Sequence, residues 1–388
     1  MKKHFLKKFI CLVMVSVLLA FSFPRANVDA TNSVPEFDLD CKSAILIEAS
    51  TGQVLYEKDA DMALPPASVT KVMTLLLVME AIEAGKLKYG DSVRASANAC
   101  SMGGSQIYLK ENEEMSVEDM LKSVVIASAN DAAVALAEHI AGSEEEFVRQ
   151  MNKRAAELGM KNTRFENTNG LDDTTDSHLT SARDIAIMSR ELIKYPKILE
   201  YSSTWMDSVR GGEFGLTNTN RLVRFYKGAT GLKTGSTAKA GFCISATAER
   251  DGMSLICVIM GAPSRDVRNA AAVKLLDYGF STYAIYRDAG GELEQIAVTK
   301  GDLPLLALKY SGFEAVLPKN EIGSVKKEIL LPESVNAPVK EGSAVGEVVY
   351  KIGERELGRT DIVALDSVER LSLGSLLLML LHKCAYIM

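Results

Sequence analysis

The chain has 388 residues and a formal net charge of −6, which becomes about −10 without the first 30 residues and their charge of +4. This length predicts two domains, and an apolar fraction of 47% with a charged fraction of 24% is typical of a globular protein. The acidic balance argues against a nucleic-acid partner, since phosphate binding requires clustered lysine and arginine. The six cysteines are scattered without a C-x-x-C pair, so no disulfide framework is expected.

The first 30 residues have the features of a secretory signal peptide. A basic start, M-K-K-H-F-L-K-K, precedes an uncharged apolar run from Phe9 to Phe23, and small residues at Val28 and Ala30 suit cleavage after Ala30. An uncleaved membrane anchor is the alternative, but the apolar run is short for a transmembrane helix. We therefore expect an exported protein.

Residues 31–286 are predicted to form one domain with strands at both ends and helices between them. Two strands are expected around Ser50-Thr51-Gly52, and a hairpin is expected at Asp251-Gly252. One sheet built from distant segments, beside a helical lobe, gives an α/β class of the α+β kind. The predicted helices cover 68–84, three segments within 116–160, a segment near 181, and Asp266 to Tyr278 closed by Gly279.

Residues 287–366 have a different sequence pattern from residues 31–286, with short strand-like segments separated by glycine, proline and charged turns. We expect a small all-β domain that serves as a spacer or a binding module. The apolar tail, 367–388, is interrupted by His382 and Lys383 and is too short for a confident transmembrane helix. It is predicted to be an amphipathic helix at a membrane surface, and the alternative is a helix packed on the protein's own core.

Ser68 and Lys71 form an S-x-x-K pair in L-P-P-A-S-V-T-K-V-M-T, where an apolar helix begins. Residues three apart share a helix face, so the hydroxyl would lie beside the amine. Burial would lower the pKa of the lysine from about 10.4 and make it a base that can activate the serine. The pattern also occurs at Ser236–Lys239 and Ser324–Lys327, but only the first begins a long apolar helix.

The sequence gives little support for other kinds of hydrolase active site. There is no G-x-S-x-G motif, and only His139 and His178 lie outside the signal and the tail, so a Ser-His-Asp triad has few candidates. The loop L-D-D-T-T-D-S-H-L matches no metal-ligand spacing, and we interpret it as a polar turn that caps the helix at Ser181. No metal or cofactor is expected.

Two further motifs support a catalytic interpretation. K-T-G occurs once, at Lys233-Thr234-Gly235, where a lysine and a hydroxyl could hold a free carboxylate and a glycine lets a substrate approach the strand. S-x-N occurs at Ser128-Ala129-Asn130, in a turn between two apolar helices, and also at Ser96 and Ser334. We favour Ser128 because that turn would fix its position.

In this order the three motifs resemble those of the penicillin-recognising D-alanyl-D-alanine carboxypeptidases, the low-molecular-mass penicillin-binding proteins. The likeness extends from about Cys41 to the C-terminus and includes G-G-S-Q-I-Y-L, S-A-N-D-A-A-V-A-L-A and G-A-P-S-R-D-V-R. It implies a serine peptidase that removes the terminal D-alanine of peptidoglycan stem peptides ending in D-Ala-D-Ala, with β-lactam antibiotics as covalent inhibitors. It also implies an enzyme held at the outer face of the cytoplasmic membrane.

The resemblance further implies a role for each matching residue. Ser68 would be the nucleophile, Lys71 its base and Ser128 a proton shuttle to the leaving amine. The substrate-binding residues would be Asn130, Lys233, Thr234, Gly235, Ser236 and Arg268. Among these, Lys233 and Thr234 would bind the terminal carboxylate. The backbone N–H groups of Ser68 and Ser236 would form an oxyanion hole. Arg268 would lie near the carboxylate site, although a surface arginine on the last helix is the alternative.

Two residues depart from the pattern of the family. Position 236 is often histidine or tyrosine and is serine here, and S-A-N replaces the commoner S-G-N. Two other functions stay open from the sequence. A β-lactamase is one, although no E-x-x-L-N lies between S-x-N and K-T-G. A non-catalytic peptidoglycan-binding protein is the other, although all three motifs are complete.

Overall fold

The computed structural model describes residues 37–372 except Thr174, together with Gly374 and Leu376. The predicted signal peptide and most of the predicted tail helix lie outside these residues. Among the described residues, no helix combines the length and the apolar character needed to span a membrane.

The described strands and helices are as follows. The strands are β1 (Ser43–Glu48), β2 (Val54–Lys58), β3 (Ser92–Arg94), β4 (Glu114–Ser116), β5 (Met206–Val209), β6 (Phe214–Thr217), β7 (Ala229–Thr237), β8 (Gly241–Arg250), β9 (Met253–Ala262), β10 (Tyr283–Thr299), β11 (Leu305–Pro318), β12 (Lys326–Leu330), β13 (Ser334–Asn336), β14 (Ala344–Ile352) and β15 (Arg355–Ala364). The helices are α1 (Lys71–Glu83), α2 (Ala97–Cys100), α3 (Val117–Ile126), α4 (Asn130–Ala141), α5 (Glu144–Glu157), α6 (Ala182–Leu192), α7 (Pro196–Ser203), α8 (Leu222–Phe225) and α9 (Arg265–Thr282).

A five-stranded antiparallel sheet, in the order β2-β1-β9-β8-β7, joins both ends of the first domain. The hairpin of β8 and β9 turns at Asp251 and Gly252, whose φ angles of 51° and 73° are those of a tight two-residue turn. The prediction of one sheet from distant segments is confirmed. Strand β7, which carries K-T-G, lies at an edge of this sheet.

Helix α1 lies in the core between the sheet and the helical lobe, and it is apolar around most of its circumference. Its buried residues occupy every side of the helix, which is typical of a helix surrounded by protein. Helices α3, α5 and α6 each begin at a serine whose side chain accepts a hydrogen bond from a backbone N–H, at Ser116, Ser143 and Ser181. The predicted cap at Ser181 is therefore confirmed.

Two helix predictions need correction. The helix expected from residue 68 begins at Lys71, Ala67–Thr70 form a 3₁₀ turn, and the left-handed φ of 49° at Ala67 is incompatible with a regular helix there. Gly279 does not close the last helix, which continues to Thr282. A Cβ atom on Gly279 would lie 2.6 Å from Leu255, so this glycine allows α9 to approach the sheet closely.

The C-terminal region is all-β, as predicted. Its six-stranded sheet has the order β12-β14-β15-β11-β10-β13, and within the described residues β10 and β13 pair in parallel while the other neighbours pair antiparallel. Strand β10 starts at Tyr283, directly after α9 ends at Thr282. The described cysteines, Cys41, Cys100, Cys243 and Cys257, are all free thiols.

Candidate active site

Ser68 lies in the 3₁₀ turn that leads into α1. In a 3₁₀ turn, residues three apart are eclipsed, which aligns Ser68 with Lys71 more directly than a regular α-helix would. The Nζ atom of Lys71 lies 2.9 Å from the Oγ atom of Ser68. The turn places the serine at the wall of a cavity, while Lys71 is completely buried.

The contacts of Lys71 fit a neutral amine. Its Nζ atom lies 2.6 Å from Asn130 Oδ1 and 2.8 Å from the carbonyl oxygen of Asn169, and both are acceptors only. A neutral amine donates its two hydrogens to these oxygens and keeps its lone pair for the hydroxyl hydrogen of Ser68. Burial, and then the charge of nearby Lys233, hold the pKa of Lys71 well below its usual value.

Ser128 and Lys233 form a second buried pair in the same site. The Nζ atom of Lys233 donates to Ser128 Oγ at 2.8 Å and to the carbonyl oxygen of Thr234 at 3.0 Å. Burial, with the charge of Arg268, lowers the pKa of Lys233 to about 7. Ser128 has a left-handed φ of 63°, a costly conformation for a serine that the surrounding residues must hold in place.

Asn130 connects S-x-N with Lys71 and with the opposite loop. Its Oδ1 atom accepts from Lys71, while its Nδ2 atom donates to the carbonyl oxygen of Gly103 at 2.6 Å. The next residue, Asp131, is buried and accepts backbone N–H groups from Ile107 and Leu109. Asp131 thereby fixes the loop that faces the site.

Strand β7 forms the opposite wall of the site. A Cβ atom on Gly235 would lie 2.7 Å from the backbone nitrogen of Ser68, so only glycine allows the strand to approach the turn this closely. Thr234 Oγ1 donates to Thr219 Oγ1 at 2.8 Å, and Ser236 is exposed at the cavity. The backbone nitrogen of Ser68 therefore lies beside the strand at Gly235, the residue that precedes Ser236.

Arg268 is buried, so it is not a surface arginine on the last helix. Its guanidinium donates to the carbonyl oxygen of Cys243 at 3.3 Å and to Asn269 Oδ1 at 2.8 Å. Burial, with the charge of Arg265, lowers the pKa of Arg268 to about 10. Residues of all three motifs therefore share one cavity of about 590 Å³ with this arginine.

The rival motif matches lie in different surroundings. Lys239 and Lys327 are partly exposed and pair with Asp176 and Asp288, so neither is a neutral base. Ser96 caps α2, its side chain accepting from the N–H of Ala99. Burial distinguishes Lys71 from these lysines.

Sequence reasoning missed two threonines at the site. Thr219 contacts Thr234, and no motif marked it. Thr70 Oγ1 lies 2.7 Å from His178 Nε2 and donates to the carbonyl oxygen of Ala67 at 2.9 Å. The backbone N–H of Glu166 donates to His178 Nδ1, so Nε2 carries the hydrogen, and burial lowers the pKa of His178 to about 4. Neutral His178 therefore supports the turn of Ser68 and does not act as its base.

Comparison with known proteins identifies related sequences. A family model described as D-alanyl-D-alanine carboxypeptidase matches residues 29–264, and a model described as penicillin-binding protein 5, C-terminal domain, matches residues 280–370. The chain is 41% identical over 374 residues to the D-alanyl-D-alanine carboxypeptidase DacF of Bacillus subtilis, which covers 94% of this chain and 95% of that protein.

Solved structures give the same result. Penicillin-binding protein 5 from Haemophilus influenzae superposes with a TM-score of 0.77 at 30% identity, covering 87% of this chain and 99% of that one. Penicillin-binding protein D2 from Listeria monocytogenes, in its ampicillin-bound form, superposes with a TM-score of 0.59 at 32% identity, covering 63% of this chain and 100% of that one.

Proposed function

The chain belongs to the D-alanyl-D-alanine carboxypeptidase family, and on that premise we propose that it removes the terminal D-alanine from peptidoglycan pentapeptide stems through an acyl-enzyme on Ser68. The observation that carries the proposal is the hydrogen bonding of Lys71. Its Nζ atom lies 2.9 Å from Ser68 Oγ, and its other two partners are acceptors only, so the neutral amine that burial favours has its lone pair left for the hydroxyl proton.

Acylation follows from this arrangement. Lys71 takes the proton of Ser68 as Oγ attacks the carbonyl carbon between the two D-alanines. The backbone N–H groups of Ser68 and Ser236 stabilise the oxyanion, a device worth about 3–4 kcal/mol per donor. The C–N bond then breaks, and Ser128 passes the proton from Lys71 to the leaving nitrogen. Water attacks the ester and releases the shortened peptide.

The remaining residues orient the substrate. Lys233 and Thr234 bind the terminal carboxylate, with Arg268 adding positive charge to that end of the cavity, while Asn130 binds the substrate amide. The free edge of β7, an edge strand of the sheet, can accept an extended peptide, and Gly235 lets this strand lie against the turn of Ser68. A β-lactam antibiotic would occupy the same place and acylate Ser68.

The test is the mass of the intact protein after incubation with penicillin, together with D-alanine release from a pentapeptide. Wild type should gain one penicilloyl group and release D-alanine, and Ser68→Ala should do neither. Ser324→Ala, from an S-x-x-K match in the C-terminal domain, is the matched control and should behave as wild type. Labelling that persists in Ser68→Ala would contradict the assignment. Rapid loss of the label would instead favour a β-lactamase.

We also propose that the protein is exported and held at the outer face of the cytoplasmic membrane by an amphipathic segment at 367–388. Its domains would be 31–286 and 287–366, after a signal peptide at 1–30. Support comes from the basic and apolar start of the chain and from its apolar tail. A chain ending at residue 372, which keeps the buried Val368 in the core of the C-terminal domain, should lose vesicle binding and keep D-alanine release. Equal vesicle binding by both chains would contradict the anchor.

A further inference from the structure

A group of aromatic and cationic side chains lies at one end of the cavity, and we call Trp205, Arg221, Arg224 and Phe225 the aromatic ledge. The guanidinium of Arg224 lies 5.3 Å from the ring centre of Trp205 and 5.5 Å from that of Phe225, within cation–π range. The two rings meet edge to face at 6.5 Å. Phe225 is 73% exposed, unusually so for a large apolar side chain, and it lines the cavity that contains Ser68.

The ledge lies at the Thr234 end of β7. Thr234 contacts Thr219, and Thr219 also lines the cavity, two residues before Arg221. Ser68 contacts the next position of the strand, Gly235. If the terminal carboxylate of a substrate binds at Thr234, the stem peptide must extend towards Ser236 and beyond, and the leaving residue must face the ledge.

The ledge is larger and more positive than a D-alanine leaving group requires. A methyl side chain needs neither a stacked aromatic pair nor a further cation beyond the carboxylate site. Within the described residues, Arg221 and Arg224 have no ion pair, and no carboxylate is among the side chains that line the cavity. The indole Nε1 of Trp205 is buried and has no hydrogen-bond partner in the described structure.

We propose that the aromatic ledge is a subsite for the leaving residue, and that it accepts a D-amino acid whose longer side chain ends in a second carboxylate. The inference rests on the proposed function, and the covalent step is the same. The C–N bond to the leaving residue breaks, and its nitrogen departs with a proton. Arg221 and Arg224 bind the second carboxylate, while Trp205 and Phe225 contact the aliphatic part of the side chain.

The experiment compares acylated dipeptides that end in D-Ala-D-Ala, D-Ala-D-Glu and D-Ala-D-Gln. Glutamate and glutamine are nearly the same size, so their ratio of kcat/KM isolates the charge. Wild type should favour D-Ala-D-Glu over D-Ala-D-Gln by about fivefold, the upper range for a solvent-exposed ion pair. Arg224→Gln should lower this ratio, and the double variant Arg221→Gln with Arg224→Gln should bring it close to one. Lys227→Gln makes the same change of charge three residues away, outside the cavity lining, and should keep the wild-type ratio.

Trp205 is the only tryptophan in the chain, so its fluorescence gives a second measurement that does not depend on turnover. In Ser68→Ala, D-Ala-D-Glu should change the fluorescence at lower concentration than D-Ala-D-Gln. A wild-type ratio near one with normal turnover of D-Ala-D-Ala would overturn only the subsite. An equal loss of the ratio in Lys227→Gln would also overturn it, and absence of turnover on all three peptides would overturn both proposals.

Discussion

The Nε2 atom of His178 lies 2.7 Å from the Oγ1 atom of Thr70, although the two residues are 108 positions apart. Thr70 in turn holds the carbonyl oxygen of Ala67, the residue before Ser68, in its left-handed conformation. A Cβ atom on Gly170 would lie 1.9 Å from that same oxygen, so a glycine is also required there. The position of Ser68, the proposed nucleophile, is thus set by buried residues that do not line the cavity.

Thr70→Val should lower the rate of acylation by penicillin about tenfold or more. The variant keeps the shape of the side chain and removes the hydrogen bonds that hold Ala67, and small displacements of a reacting group are costly. The measurement is the rate of penicilloyl formation beside the free energy of unfolding. Thr74→Val is the matched control, because Thr74 is buried one turn further along and donates only to Thr168. If both variants lose acylation equally, Thr70 does not position Ser68.

The free energy of unfolding should fall by about 3 kcal/mol as the pH is lowered from 6.5 through 4. Burial lowers the pKa of His178 to about 4 from its ordinary 6.5. In this window the unfolded state binds a proton that the folded state does not, so stability rises with pH and levels off above 6.5. Denaturant unfolding across this range measures the slope. His178→Gln should lose this component, and exposed His139→Gln should retain it; the reverse outcome would assign the effect elsewhere.

The pH profile of kcat/KM should be bell-shaped. Its acid limb reports deprotonation of Lys71, whose pKa is lowered by burial, and its alkaline limb reports loss of the charge on Lys233, whose pKa is about 7. A bound carboxylate favours the charged form of Lys233, so the alkaline limb of kcat should lie at higher pH. Profiles between about pH 5 and 10 would show this. If the alkaline limbs of kcat/KM and of kcat lie at the same pH, Lys233 does not bind the substrate carboxylate.

Gly235→Ala should reduce acylation by about a hundredfold or more. Its new Cβ atom would lie 2.7 Å from the Ser68 nitrogen and 2.9 Å from the Pro66 oxygen, forcing β7 away from the turn and separating the two oxyanion donors. Stopped-flow acylation gives the rate. Gly215→Ala, where nothing lies within 4 Å of the added atom, should acylate normally. Normal acylation by Gly235→Ala would contradict the assigned oxyanion hole.

The sequence was most informative where function depends on local spacing. Ser68 and Lys71 are close because they are three residues apart, and the hairpin turn follows from Asp251-Gly252. The predicted end of the last helix at Gly279 was wrong, since an isolated glycine in a helical pattern can either end the helix or allow close packing. The contact between this helix and Leu255 on the sheet, which only the structure shows, identifies Gly279 as a site of close packing.

The supports of the site could not be predicted, because they are contacts between distant segments. The left-handed turn at Ala67 depends on Gly170 and His178, and Thr219 reaches Thr234 through a loop that carries no motif. His178 was a candidate for a catalytic triad, but its contacts with Thr70 and Glu166 show a neutral histidine that supports the turn of Ser68. No periodicity or local propensity encodes such pairings.

Helix α9 carries Arg268 near its first turn and passes at its other end into β10 without an intervening loop residue. Eighteen helical residues span about 27 Å, and this single continuous helix connects the catalytic cleft with the C-terminal sheet. A hinge at this junction would have to break hydrogen bonds of the helix or the strand. The placement of the C-terminal sheet beside the cleft is therefore tied to the way one helix packs on the catalytic sheet.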